Sequence, residues 1–309
     1  MDLNKAILYG QLVQAAYDIP TTDLNNRAGQ MRDAGLGANK TTFEIIASIY
    51  ANDLATDASK RRGPAAPVSI GLLLWQASSG EAVIAIRGTE GIHEWVQDAK
   101  FGTVPCKLLS GAGETEDGFT DVYNSFGINA PGGPSVTASL ATIFGTRQVN
   151  FLTICGHSLG GALATLQALD AVANSQFKNP TVYTYASPRT GDSQFASTYN
   201  GKVPNTFRIA NRVDVVPKLP AFPPYEHVQG HFGISAIQIL PPAILVEPNV
   251  VCEHVLETYL HLLSKQAGVE PISLRQGCST PGGMSKFLNH LKMEFRGVDK
   301  MAEDFAKKT

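Results

Sequence analysis

The sequence predicts an α/β fold with a central, mostly parallel β-sheet flanked by helices, and three observations carry that reading. Apolar, β-branched runs alternate with amphipathic stretches along the chain, the pattern of strands joined by helical crossovers. Residues 149–161, Val-Asn-Phe-Leu-Thr-Ile-Cys-Gly-His-Ser-Leu-Gly-Gly, read as strand, sharp turn and helix start in immediate succession. The composition is that of an ordinary globular protein, with 309 residues and 43% hydrophobic content. A chain of that length buries roughly three quarters of its unfolded surface as one domain.

Taken in order, residues 4–17 place apolar side chains at helical spacing and predict an amphipathic helix. Residues 41–51 suit a strand or a short helix. Ser69–Gln76 and Glu81–Arg87 read as strands joined by Ala-Ser-Ser-Gly, a hairpin. A helix is expected from Gly118 to about Phe126, then a Gly/Pro break at 130–134, then a second helix leading into the strand at 149–155. Pro180–Ala186 and Asn205–Ala210 are further strands. From 217 to 251 the chain turns proline-rich and apolar, an irregular connection of the kind that is functional or mobile inside a compact domain. Glu253–Lys265 and 286–307 close the chain as helices. No repeat or domain-sized linker appears, so residues 1–309 are expected to form a single domain.

Charge and composition remove several function classes. The net charge is −2 with basic residues scattered, which disfavours a nucleic-acid partner. No apolar run reaches the ~18 residues that a membrane-spanning helix needs. The N-terminal residues lack the basic start and apolar core of a secretory signal, which leaves an intracellular protein, another export route or a mature chain as open readings. Cys106, Cys155, Cys252 and Cys278 show no metal-ligand spacing. Cys155 fits a buried strand as a small apolar residue; the other three leave room for a disulfide.

The chemistry is concentrated in the turn at Ser158. A serine hydroxyl is a poor nucleophile unless a base deprotonates it and donors stabilise the oxyanion it generates. Gly156 and Gly160, two positions either side, let strand and helix pass closely, and His157 completes the turn. One oxyanion donor is expected from the N–H of Leu159, the other from a loop after an earlier strand. Thr89, following the strand that ends at Arg87-Gly88, is the best-placed candidate; the competing reading makes it a cap for the short piece around Trp95.

These residues carry a resemblance. Arg87-Gly-Thr, Trp95 and Asp98, then Gly118-Phe119 and Tyr123, then Gly156-His-Ser-Leu-Gly-Gly161, resemble the class 3 lipase family of the α/β-hydrolase fold. Two positions depart from it: Glu116, where many members carry His, and Cys155, where they carry Thr or Val. Neither bears on the reaction. The resemblance implies a serine ester hydrolase whose nucleophile, acid and base follow in the order Ser, Asp, His, with no cofactor or metal.

Three acids precede or open the proline-rich segment. Asp170 is expected on the helix after Ser158, pointing away, and Asp192 suits a helix cap. Asp214 lies just past a strand end, where sites gather in such sheets, and Asp214–Pro217 matches the family's Asp-x-Val-Pro. The base must reach Ser158 and Asp214 together, which favours a loop or helix start. His254 fits, opening the helix that contains Tyr259, and His followed five residues later by Tyr matches the family's terminal motif. His227 and His231 compete for the role, whereas His261 suits a packed helix position. As a metal pair, His227 and His231 lack both a helix to align them and a third ligand.

Residues 90–100, with Ile92, Trp95 and Val96 on one side, resemble the family's lid; the alternative is a surface helix burying Trp95. Together with the apolar segment 217–251 they predict contact with a lipid interface. The function expected is hydrolysis of fatty acyl esters, most specifically triacylglycerol, with soluble short-chain or feruloyl-type esters as the alternative. A non-catalytic lipid-binding protein on the same scaffold is the third reading.

Overall fold

A computed structural model of the chain describes residues 1–52, 66–88, 102–235, 250–276 and 278. Helix α1 (Leu3–Tyr17) starts where Asp2 caps it, accepting from the N–H groups of Asn4 and Lys5. Strand β1 (Met31–Ala34) follows, then β2 (Thr41–Asn52), β3 (Pro67–Gln76) and β4 (Glu81–Ile86). The 41–51 run thus resolves as a strand, and β3 and β4 form the expected antiparallel hairpin. Short strands β5 (Thr103–Pro105) and β6 (Glu114–Glu116) lead to helix α2 (Asp117–Asn124), β7 (Gly127–Ile128) and the single turn α3 (Val136–Ser139). The second helix expected before residue 149 is therefore only four residues long.

Strand β8 (Phe151–His157) then runs into helix α4 (Leu159–Asn174), followed by β9 (Thr181–Tyr185), β10 (Gly191–Asp192), helix α5 (Ser193–Lys202) and β11 (Thr206–Asn211). The last described elements are β12 (Tyr225–Glu226), β13 (His231–Ile234), α6 (Val250–His254) and α7 (Leu256–Ala267). The principal sheet has the order β1-β2-β3-β4-β8-β9-β11-β13. From β4 through β13 the pairings are parallel, whereas β1 to β4 pair antiparallel. A small second sheet joins β12, β10, β6 and β5.

Both faces of the principal sheet are covered, which explains why β4 and β8 are apolar without alternation. On one face Ile84, Ile86 and Ile154 pack with Phe119, Leu163 and Leu166 of α2 and α4. On the other, Val83, Ala85 and Cys155 pack with Ile7, Leu12, Tyr259 and Leu263 of α1 and α7. Cys252 and Cys278 form a disulfide that ties α6 to the segment after α7, while Cys106 and Cys155 are free and buried.

Candidate active site

The parallel strands end on one edge of the sheet, and that edge gathers Ser158, Asp214 and His254. At the β8–α4 turn the chain reverses so sharply that Ser158 has φ 58° and ψ −128°, a strained backbone for a side chain with a Cβ. The turn is held by the Ser158 N–H donating to Tyr185 O (2.8 Å) and the Gly161 N–H to Ser158 O (2.8 Å). A Cβ on Gly156 would collide with the carbonyl of Gly160, and one on Gly160 with the carbonyls of Ile86 and Arg87. The two glycines are thus required by backbone crossing, the reason the sequence suggested.

Ser158 Oγ lies 2.9 Å from His254 Nε2, and His254 Nδ1 lies 2.8 Å from Asp214 Oδ2. All three are buried, at 1%, 4% and 0% exposure. Asp214 also accepts from the Tyr259 hydroxyl (2.7 Å) and, through Oδ1, from the Val216 N–H (2.9 Å). Oxygens so placed take a proton-bearing Nδ1 as their further donor, leaving the Nε2 lone pair facing the serine hydroxyl. Burial and the Asp214 charge push the Tyr259 hydroxyl well above its ordinary range, so it stays a donor. The Tyr259 oxygen in turn accepts from the Asn211 N–H (3.0 Å), and the Asn211 side-chain amide donates to Glu253 O (2.9 Å).

A second chain of bonds runs behind the histidine. His157 Nε2 is 2.8 Å from the carbonyl of His254, and its Nδ1 is 2.8 Å from the Tyr17 hydroxyl. A carbonyl only accepts, so Nε2 carries the proton and Nδ1 accepts from Tyr17. Tyr17 then accepts from the Gly88 N–H at 2.8 Å. Burial, reinforced by His254, pushes His157 well below the ordinary imidazole value and keeps it neutral. One buried path thus connects the end of α1, the β4 end, the β8–α4 turn and the backbone of the histidine facing Ser158.

Leu159 opens α4, where the first N–H groups have no intrahelical acceptor. Gly88 sits so close that a Cβ there would lie 2.9 Å from Ser158 Cβ. The next residue, Thr89, and the lid candidates Ile92, Trp95 and Val96 (in segment 90–100) lie outside the described residues, as do 236–249 of the proline-rich segment.

Alternative candidates are placed elsewhere. Asp170 accepts from Tyr123 (2.6 Å) and Asn174 (2.7 Å), and Asp192 caps α5 by accepting from the Phe195 N–H (2.7 Å). His261 Nδ1 is bonded to Ile272 O, and His227 Nε2 to Pro217 O. His231 is an exposed residue of β13. His254 ends the short α6 rather than opening one long helix: Val255, with ψ 143°, interrupts the chain before α7. Sequence reading missed Tyr17 and Asn211, because neither sits in a local pattern that points to the serine.

Set against known proteins, residues 83–223 match the model of the family described as lipase (class 3). Phospholipase A1-II 6 of Oryza sativa subsp. japonica is 27% identical over 87% of this chain and 77% of its own length. Phospholipase A1-IIgamma of Arabidopsis thaliana is 29% identical over 88% and 76%. Secreted mono- and diacylglycerol lipase A of Penicillium cyclopium is 31% identical over 52% and 50%. Among solved structures, one described as a fungal lipase aligns with a TM-score of 0.57 at 22% identity, covering 76% of this chain and 80% of that one. A mutant form of MDLA from Penicillium cyclopium aligns at 0.51 and 22% identity, covering 75% and 77%. These structural likenesses carry the α/β-hydrolase fold.

Proposed function

We propose that this chain, which matches the class 3 lipase family model over residues 83–223, is a serine ester hydrolase that cleaves fatty acyl esters of glycerolipids through Ser158, His254 and Asp214. The observation that carries the residue assignment is the pair of bonds at His254, 2.9 Å to Ser158 Oγ and 2.8 Å to Asp214. In the reaction His254 takes the hydroxyl proton as Ser158 attacks the ester carbonyl, and Asp214 stabilises the imidazolium. The Leu159 N–H, with Thr89 as its partner from the β4 loop, stabilises the oxyanion, a donor typically worth about 2.7–4 kcal/mol of barrier. His254 then protonates the departing alcohol, and water repeats the cycle on the acyl-enzyme.

Triacylglycerol is the substrate that the sequence suggests within this class; the relatives' names point to phospholipids and to mono- and diacylglycerols. Initial rates on emulsified triacylglycerol, diacylglycerol and phosphatidylcholine, against a soluble p-nitrophenyl ester, rank them. Hydrolysis confined to the soluble ester, saturating below its solubility limit, would overturn the glycerolipid assignment. Ser158→Ala and His254→Ala are each expected to lower kcat by about 10⁴-fold or more, with His261→Ala near wild type. Equal losses at the two histidines would sink the choice of base.

A further inference from the structure

Arg208 projects from β11 with 8% exposure, yet among the described residues no carboxylate answers it. Its Nε donates to Val228 O (3.2 Å), and among the described residues its remaining N–H groups have no protein acceptor. Arg189 beside it is likewise pinned by carbonyls alone, those of Lys218 (2.6 Å) and Pro220. Both line a cavity of about 950 Å³ at the C-terminal ends of β11 and β13, rimmed by Arg212, Lys218 and Lys265. Among the described residues its walls hold five cations and one carboxylate, Asp214, whose oxygens are already taken by His254, Tyr259 and Val216. Glu253, outside the walls, faces Lys218.

The positive charge is felt by Arg208, His227 and His231. Burial, then Arg189, lowers Arg208 to about 10; burial, then Arg208, lowers His227 to about 3 and moves His231 the same way. A buried guanidinium with a neutral acceptor on one N–H and no counter-ion is expensive, and folds rarely keep one without a use. The chain as a whole is net acidic, so the concentration is local.

We propose that this cavity is a phosphate-binding site in which Arg208 and Arg189 hold the oxygens of a phosphate group. Two carbonyl-pinned guanidinium forks suit the several oxygens of a phosphate dianion better than the two of a carboxylate. The volume exceeds that of a bare ion and suits a phosphorylated organic group. The ligand is either the headgroup of a phospholipid or a free phosphate ester. The headgroup source rests on the glycerolipid hydrolysis proposed above; phosphate binding itself does not.

Binding is therefore measured on Ser158→Ala protein, by calorimetry with inorganic phosphate at low ionic strength. One site is expected, weakened about tenfold or more by Arg208→Met and by the more accessible Arg189→Gln. Arg208→Met should also melt higher than its parent without phosphate, while losing the rise in Tm that phosphate gives the parent. No binding by the parent, unchanged binding in both variants, or acetate binding as tightly as phosphate would overturn the site. In Ser158-containing protein, the rate ratio of phosphatidic acid to diacylglycerol separates the sources. A drop of about tenfold in that ratio with Arg208→Met assigns the headgroup; an unchanged ratio with lost phosphate binding assigns a free phosphate ester.

Discussion

Glu253 precedes the histidine that faces Ser158, and its carboxyl is nearly as buried as the site itself, at 6% exposure with Oε2 unpartnered. Burial, then the Asp214 charge, lifts its pKa from 4.5 to about 7, with Lys218 opposing. The native state therefore holds this proton more tightly than the unfolded chain. Its contribution is full below about pH 4.5 and is lost as pH rises through 7, a change on the order of 3 kcal/mol. Glu253→Gln should raise the unfolding free energy at pH 8 and leave it nearly unchanged at pH 4; equal gains at both would exclude ionisation as the cause. Tyr17 acts through other groups. Tyr17→Phe strands the Gly88 N–H and His157 Nδ1, and should cost about 1–3 kcal/mol of stability. Because that path ends on the backbone of His254, kcat should fall about tenfold with KM little changed; unaltered kcat in a folded variant would reduce Tyr17 to packing.

At the scale of elements, the helix read from Glu253 to Lys265 is two helices, and the break matters. Apolar spacing continues across Val255, so periodicity alone cannot locate it. The break leaves His254 at an end where its ring meets Ser158 while α7 supplies Tyr259 from below. The Cys252–Cys278 bond, 26 residues apart, anchors α6 two residues before His254. Replacing both cysteines by serine should cost about 3 kcal/mol. Activity should then fall at temperatures below the global melting transition, since α6 has only five residues to hold it. Coincident activity and circular-dichroism transitions would show that the bond stabilises the whole fold rather than α6. The elbow, by contrast, was legible from sequence, because Gly156, Ser158 and Gly160 sit within five residues and a strained crossing allows few alternatives to glycine.

Across the whole molecule, one sheet separates two apolar layers, and α1 and α7 cover one of them. Leu12 is fully buried there, so Leu12→Ala should cost about 2–5 kcal/mol. The loss should lower a single unfolding transition, followed by chemical denaturation, without altering KM; a separate early transition would mean that α1 docks independently. The same layer explains how Tyr17, 140 residues from His157 in sequence, comes within hydrogen-bond reach of it. By itself the sequence determined the fold class and pointed to the serine and to an acid and base consistent with the order of the chain, because each rests on short-range spacing or on a matched motif. Tertiary structure decided the rest. It showed which of the four described downstream histidines faces the serine, paired two of the four cysteines, linked Tyr17 and Asn211 to the site, and set Arg208 in a cavity without a counter-ion among the described residues. Those outcomes depend on which strand ends the parallel sheet brings to one edge, and no local pattern encodes that juxtaposition.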